Sequence, residues 1–130
     1  MSKKLFICLV VLFSSAIINA QDEEKIFVKV ENEAHTDLKQ WTDHIKMNTQ
    51  LPDSVSKNIP AGTYKVNVQF IVDVHGTIGQ IKAKDNPGYG LAEKAENILR
   101  AYNGQWKPAS QCGRLVKAYR TQPIVFVVKD

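Results

Sequence analysis

The stretch "YKVNVQFIVDV", Tyr64 to Val74, constrains the fold more than any other. Tyr64, Val66, Val68, Phe70, Val72 and Val74 alternate with Lys65, Asn67, Gln69, Ile71 and Asp73. Successive side chains on a strand point to opposite faces, so strict period two predicts a long strand with one face on a core. "DVHGTI" then supplies a turn in which Gly76 can take a positive φ. The return strand keeps Ile78, Ile81 and Ala83 apolar, and the step of three between the isoleucines predicts a β-bulge at Gly79–Gln80. A long hairpin results.

Two segments on either side switch to helical spacing. Ala34, Leu38, Trp41 and Ile45 recur at i, i+4, i+7 and i+11, with Thr36 as the expected N-cap and Pro52 ending the helix. After the turn cluster "DNPGYG", Leu91, Ala95, Ile98, Leu99 and Tyr102 form a second apolar face, with Glu93, Lys94 and Glu96 outward and Asn103-Gly104 as the stop. "LVKAYRTQPIVFVVK" closes the chain as a strand, and Pro123, which has no N–H to donate, assigns it to a sheet edge or a bulge. "IFVKV", Ile26 to Val30, is a further short β-like run. The expected fold is α+β: a three-stranded antiparallel sheet, four-stranded if Ile26–Val30 joins, with two amphipathic helices packed on one face.

The first twenty residues have the layout of a secretory signal peptide: a basic start at Lys3 and Lys4, an apolar core, and small residues ending at Ala20. The competing reading is an uncleaved inner-membrane anchor, although a spanning helix needs about 20 apolar residues. Domain boundaries are therefore 1–20 for the signal and 21–130 for a single domain destined for the periplasm. The chain carries 17 basic and 13 acidic residues, and losing Lys3 and Lys4 leaves 15 against 13. Such scattered, nearly balanced charge gives no basic stripe of the kind nucleic acid requires. Cleavage also removes Cys8 and leaves Cys112 as the one thiol, with no internal disulfide.

Catalytic and cofactor patterns do not emerge. His35, His44 and His75 lie far apart, none at metal-ligand spacing with Cys or a carboxylate. Glu93 and Glu96 suit the positive end of a helix rather than an acid/base pair. "GYG" at Gly88–Gly90 reads as a turn rather than a phosphate loop. The expectation is a protein that is not an enzyme and takes no cofactor or metal.

In this order the pieces resemble the C-terminal domain of the TonB family over about residues 30 to 128. The resemblance rests on Gly62 and "YKVNVQFIVDVHGTIGQI" with Phe70 and Gly76, "GYGLAEKA" with Leu91 and Ala95, "WKPASQCG" with Trp106 and Pro108, and "PIVFVV" opened by Pro123. It departs at Leu51-Pro52, where the family typically has Tyr-Pro after the first helix. It implies that Trp106 is a buried anchor, Pro108 a fixed turn that launches the last strand, and Lys107 an outward residue.

For function the resemblance implies β-augmentation, in which the sheet edge pairs with an extended segment such as the TonB box of an outer-membrane transporter. Carried onto this chain, the pairing edge is the last strand, through Ala118, Tyr119, Arg120, Thr121, Gln122, Ile124, Val125, Phe126, Val127 and Val128. A homodimer through the same edge is the alternative partner. Transducers of the family keep an uncleaved membrane helix and a long Pro-rich spacer, whereas here the N-terminal segment reads as a cleavable signal and no Pro-rich spacer follows it. The leading expectation is therefore a stand-alone periplasmic binding module. A minimal transducer held by an uncleaved N-terminal segment is the second reading, and a secreted enzyme or inhibitor on the same scaffold is the third.

Overall fold

The computed structural model describes residues 25–130, so the expected leader, its cleavage after Ala20 and Cys8 lie outside the described residues. In chain order the elements are β1 (His35–Thr36), α1 (Leu38–Asn48), α2 (Asp53–Ser56), β2 (Gly62–Val72), β3 (Ile78–Ala83), α3 (Leu91–Arg100), β4 (Trp106–Lys107), β5 (Ala109–Gln111), β6 (Arg114–Val116) and β7 (Ala118–Val128). The molecule is α+β, with its main sheet three-stranded and antiparallel in the order β3-β2-β7.

Alternation in β2 does what period two requires. Val66, Val68, Phe70 and Val72 are buried on one face, and β7 sends Ile124, Phe126 and Val128 to the same side. The two strands pair without a slip over their whole length, from Gly62 opposite Val128 to Val72 opposite Ala118. Between β2 and β3 the register shifts: Gln69 faces Lys82 but Ile71 faces Gly79, so Gln80 and Ile81 share the place opposite Phe70. Gln80 takes a φ of 47° at this expected bulge, which lets β3 re-enter the ladder in phase.

The hairpin turn is fixed by Asp73. Its Oδ1 accepts the N–H of both His75 and Thr77 at 2.9 Å, and Gly76 supplies a φ of 80°. Partial burial raises the Asp73 pKa, but the Thr77 and His75 N–H groups and the nearby His75 and Lys117 charges outweigh it, leaving the carboxyl below its ordinary 3.8. A depressed folded-state pKa stabilises the protein above the ordinary value and loses that contribution as pH falls through the folded value. Asp73→Ala is therefore expected to lower Tm at neutral pH. That difference from the parent protein should shrink as the pH drops below about 4, and a difference that stays constant down to pH 2 would refute the assignment.

Helices α1 and α3 cover the apolar face of the sheet. Leu91, Ala95, Ile98 and Leu99 of α3 are buried, as the spacing predicts. Helix α1 begins later than expected. Its N-cap is Asp37, which accepts the Gln40 N–H at 2.8 Å. Thr36 is engaged elsewhere, with its Oγ1 donating to the Gln105 carbonyl at 2.6 Å and meeting the Tyr102 hydroxyl at 2.7 Å. Ala34 is buried, but in the extended arm before the helix, and Leu38 is 77% exposed. Trp41 and Ile45 are thus the residues through which α1 reaches the core. Helix α3 ends at Arg100 with Ala101 as a right-handed cap, so the Asn103-Gly104 stop falls outside the helix.

Trp41, Phe70, Tyr102 and Trp106 form one aromatic cluster, with Trp106 5.1 Å from Trp41 and 5.3 Å from Phe70 between ring centroids. Trp106 is the expected buried anchor, and Lys107 is exposed. The chain then departs from expectation. Trp106–Lys107 pairs with His35–Thr36, and after Pro108 a small hairpin, β5–β6, intervenes before the last strand. Short strands without a long alternating run leave no periodic signature, which is why this hairpin was not legible. Among the described residues no helix is long and apolar enough to cross a membrane.

Candidate functional site

Strand β7 lies at one edge of the main sheet, bonded to β2 on one side. Its outward side begins occupied. Phe27 donates its N–H to the Lys117 carbonyl at 2.8 Å and accepts the Tyr119 N–H at 3.0 Å, forming a single parallel bridge beside Ala118. The β-like run Ile26–Val30 therefore contributes one bridge rather than a fourth strand. After Phe27 the arm leaves the edge, and Asn32 pairs instead with Ser110 of β5.

This bridge fixes the parity of the edge. Backbone groups alternate in direction along a strand, so if Lys117 and Tyr119 point away from β2, so do Thr121, Pro123, Val125 and Val127. Asn67, opposite Pro123, agrees with this. Its N–H and carbonyl turn the other way, to Asp85 Oδ2 at 2.8 Å and to the Lys84 N–H at 2.7 Å. The missing N–H of Pro123 thus falls where no bond to β2 is lost.

The ten residues expected to make the pairing edge divide by this parity. Ala118, Arg120, Gln122, Ile124, Phe126 and Val128 give their backbone groups to β2, and Ala118, Ile124, Phe126 and Val128 also bury their side chains. Arg120 reaches Glu33 Oε1 at 3.5 Å. Gln122 accepts the indole N–H of Trp41 at 2.8 Å and donates its amide to the Pro123 carbonyl at 3.0 Å. Tyr119 has its N–H on Phe27. Thr121, Val125 and Val127 remain, each presenting an N–H and a carbonyl outward with no backbone partner among the described residues. Their side chains are exposed, Val125 at 42% and Val127 at 56%. The usable edge is thus a short Val125–Val127 ladder with a separate pair of groups at Thr121.

The remaining motif residues act as supports. Gly62 opens β2 and Pro123 opens the outer half of β7. Phe70, Leu91, Ala95 and Trp106 belong to the core, and Pro108 separates β4 from β5. Gly76 packs so closely on Trp106 that a Cβ there would collide with the Trp106 carbonyl oxygen.

Other polar groups have structural partners. The side chain of His44 bonds the Ile98 carbonyl at 2.6 Å, joining α1 to α3. Glu96 is not simply outward: its Oε2 accepts the Ala83 N–H at 2.8 Å and holds the free side of β3 against the helix. No group of His, Cys, Asp and Glu suited to a metal ion occurs among the described residues. Cys112 sits in the β5–β6 turn with a φ of 55°, and its N–H donates to Glu31 Oε1 at 2.6 Å. Cys112 is disulfide-bonded in the full-length chain, and residues 25–130 contain no second cysteine; the expected lone thiol concerns a chain that has lost Cys8, which lies outside the described residues. No protein-family model matches the chain, and no curated protein matches it either.

Proposed function

We propose that this protein is a periplasmic binding module that adds an extended peptide to the outer edge of β7, in the manner of a TonB C-terminal domain. The reading is supported chiefly by the two adjacent outward residues, Val125 and Val127. Together they offer two N–H groups and two carbonyls in phase for a visiting strand, and their side chains leave apolar surface beside it. Main-chain bonds of this kind supply affinity irrespective of sequence, and flanking pockets supply selectivity. The natural occupant is a TonB-box segment of an outer-membrane transporter or a comparable stretch of another envelope protein. Binding, rather than catalysis, is the activity, and the mature protein begins at Gln21.

Val125→Pro tests the edge directly. The outward N–H is lost while the bonds from Ile124 and Phe126 to β2 stay, and Pro123 occupies an equivalent position two residues earlier. Affinity for a synthetic TonB-box peptide, followed by calorimetry, is expected to fall about tenfold, since one main-chain bond is removed and the ring obstructs its neighbour. The far-UV spectrum should stay unchanged. Unaltered affinity in a folded variant would remove β7 as the site.

A further inference from the structure

The two faces of the main sheet differ in charge in a way that peptide addition at its edge does not use. Strands β2, β3 and β7 contain no Asp or Glu. On the face away from the helices lie Thr63, Lys65, Asn67 and Gln69 of β2, Lys82 of β3, and Thr121, Pro123, Val125 and Val127 of β7. The register sets Lys65 beside Val125, and Gln69 between Lys82 and Thr121. Lys84 continues β3 on the same side, with its N–H on the Asn67 carbonyl, and Lys129 follows the end of β7. All four lysines are exposed. Ile71, at the hairpin end, is buried, so the open part of the face runs from Gln69 to Thr63. Asp85 and Asp130 border the face, and Asp85 is engaged with the Asn67 N–H. Asp37, Asp43, Glu93 and Glu96 belong to α1 and α3 on the helical side.

We infer that this face docks on an anionic phospholipid surface. The charge is arranged for a plane. It is spread over three adjacent strands of one sheet face, whereas clefts among the described residues run along residues 28–35, beside Gln105 and Trp106, and around Gly88 and Gly90. The cations are lysines, flexible point charges that follow mobile headgroups. The one arginine of the sheet, Arg120, points to the other side and meets Glu33. Val125 and Val127 at the rim add exposed apolar surface that can enter the headgroup layer. A lysine at such a surface strengthens association about fivefold.

The test uses the purified protein as the cell processes it, co-sedimented at low salt with vesicles of neutral phosphatidylcholine or of phosphatidylcholine with phosphatidylglycerol. Binding is expected to the phosphatidylglycerol vesicles above any binding to the neutral ones, and to be lost at high salt. K65E/K82E/K84E should weaken it by at least about a hundredfold with an unchanged Tm. K46E/K57E/K94E, with the same charge change on the helical side, should retain most of it. No preference for phosphatidylglycerol, no effect of the first triple variant, or equal losses from both would each overturn the inference. The measurement contains no peptide, so its outcome is separate from that of the β7 edge.

Discussion

Trp106→Ala is expected to cost about 3–5 kcal/mol, the largest effect of any single truncation in this chain. The indole is 5% exposed, and its ring packs against Trp41 of α1, Phe70 of β2 and Tyr102 just past α3. Removing it empties the junction where both helices, the sheet and the arm before α1 converge. Domains of this size have about 5–15 kcal/mol in total, so the variant should be marginal, with a denaturant midpoint far below that of the parent. Trp106→Phe separates packing from polarity. The Trp106 Nε1 is buried with no hydrogen-bond partner, and an unpaired buried donor costs about 1–3 kcal/mol. Phenylalanine keeps a ring and removes that donor, so its loss should be under about 2 kcal/mol. If phenylalanine proves as damaging as alanine, the N–H is not a liability and the cluster depends on the full indole.

Gly76→Ala is expected to cost about 2–5 kcal/mol, from two sources that can be separated. A residue with a Cβ at positive φ is strained by about 1–2 kcal/mol. Here the Cβ also collides with the Trp106 carbonyl oxygen, and overpacking adds about 1–3 kcal/mol. The obstacle is backbone, so no rotamer relieves it. Gly76→Asn distinguishes the terms, because asparagine tolerates left-handed backbone but carries the same Cβ. Urea denaturation should find both variants strongly destabilised. A near-neutral asparagine variant would show that the contact with Trp106 yields easily. Gly79→Ala, where nothing lies within 4 Å of the added atom, serves as the control and should be nearly silent.

Long periodic segments were legible from sequence, and short ones were not. The eleven residues of β2, its bulge, the apolar face of α3 and the span Ala118–Val128 each repeat one geometric rule often enough to be seen. The start of α1 was misplaced because Ala34 and Leu38 fit a helical spacing by chance, and because Thr36 and Asp37 are both competent caps. Which of them serves is decided by Tyr102 and Gln105, some 66 to 69 residues away in sequence. The pairs of β1 with β4 and of Phe27 with β7 are likewise too short to alternate. The edge was legible as an edge, but its usable groups were not read. A signal existed: a proline inside a paired strand must face away from its partner, so Pro123 alone assigns Thr121, Val125 and Val127 to the outside. Glu96 shows the opposite limit, since helical position predicts that it faces outward and cannot reveal that the Ala83 N–H waits there.

The arrangement at Gln122 and Pro123 has a consequence for the protein in bulk. Proline withholds one donor from the middle of the outer edge, and the Gln122 amide occupies the carbonyl of the same residue. Two copies meeting edge to edge would face a gap wherever their ladders crossed this point, and stacking of further copies would stall there. An uninterrupted strand of eleven residues ending in "IVFVV" would be a seed for fibres. Divided as it is, the edge offers no continuous template along which further copies could add.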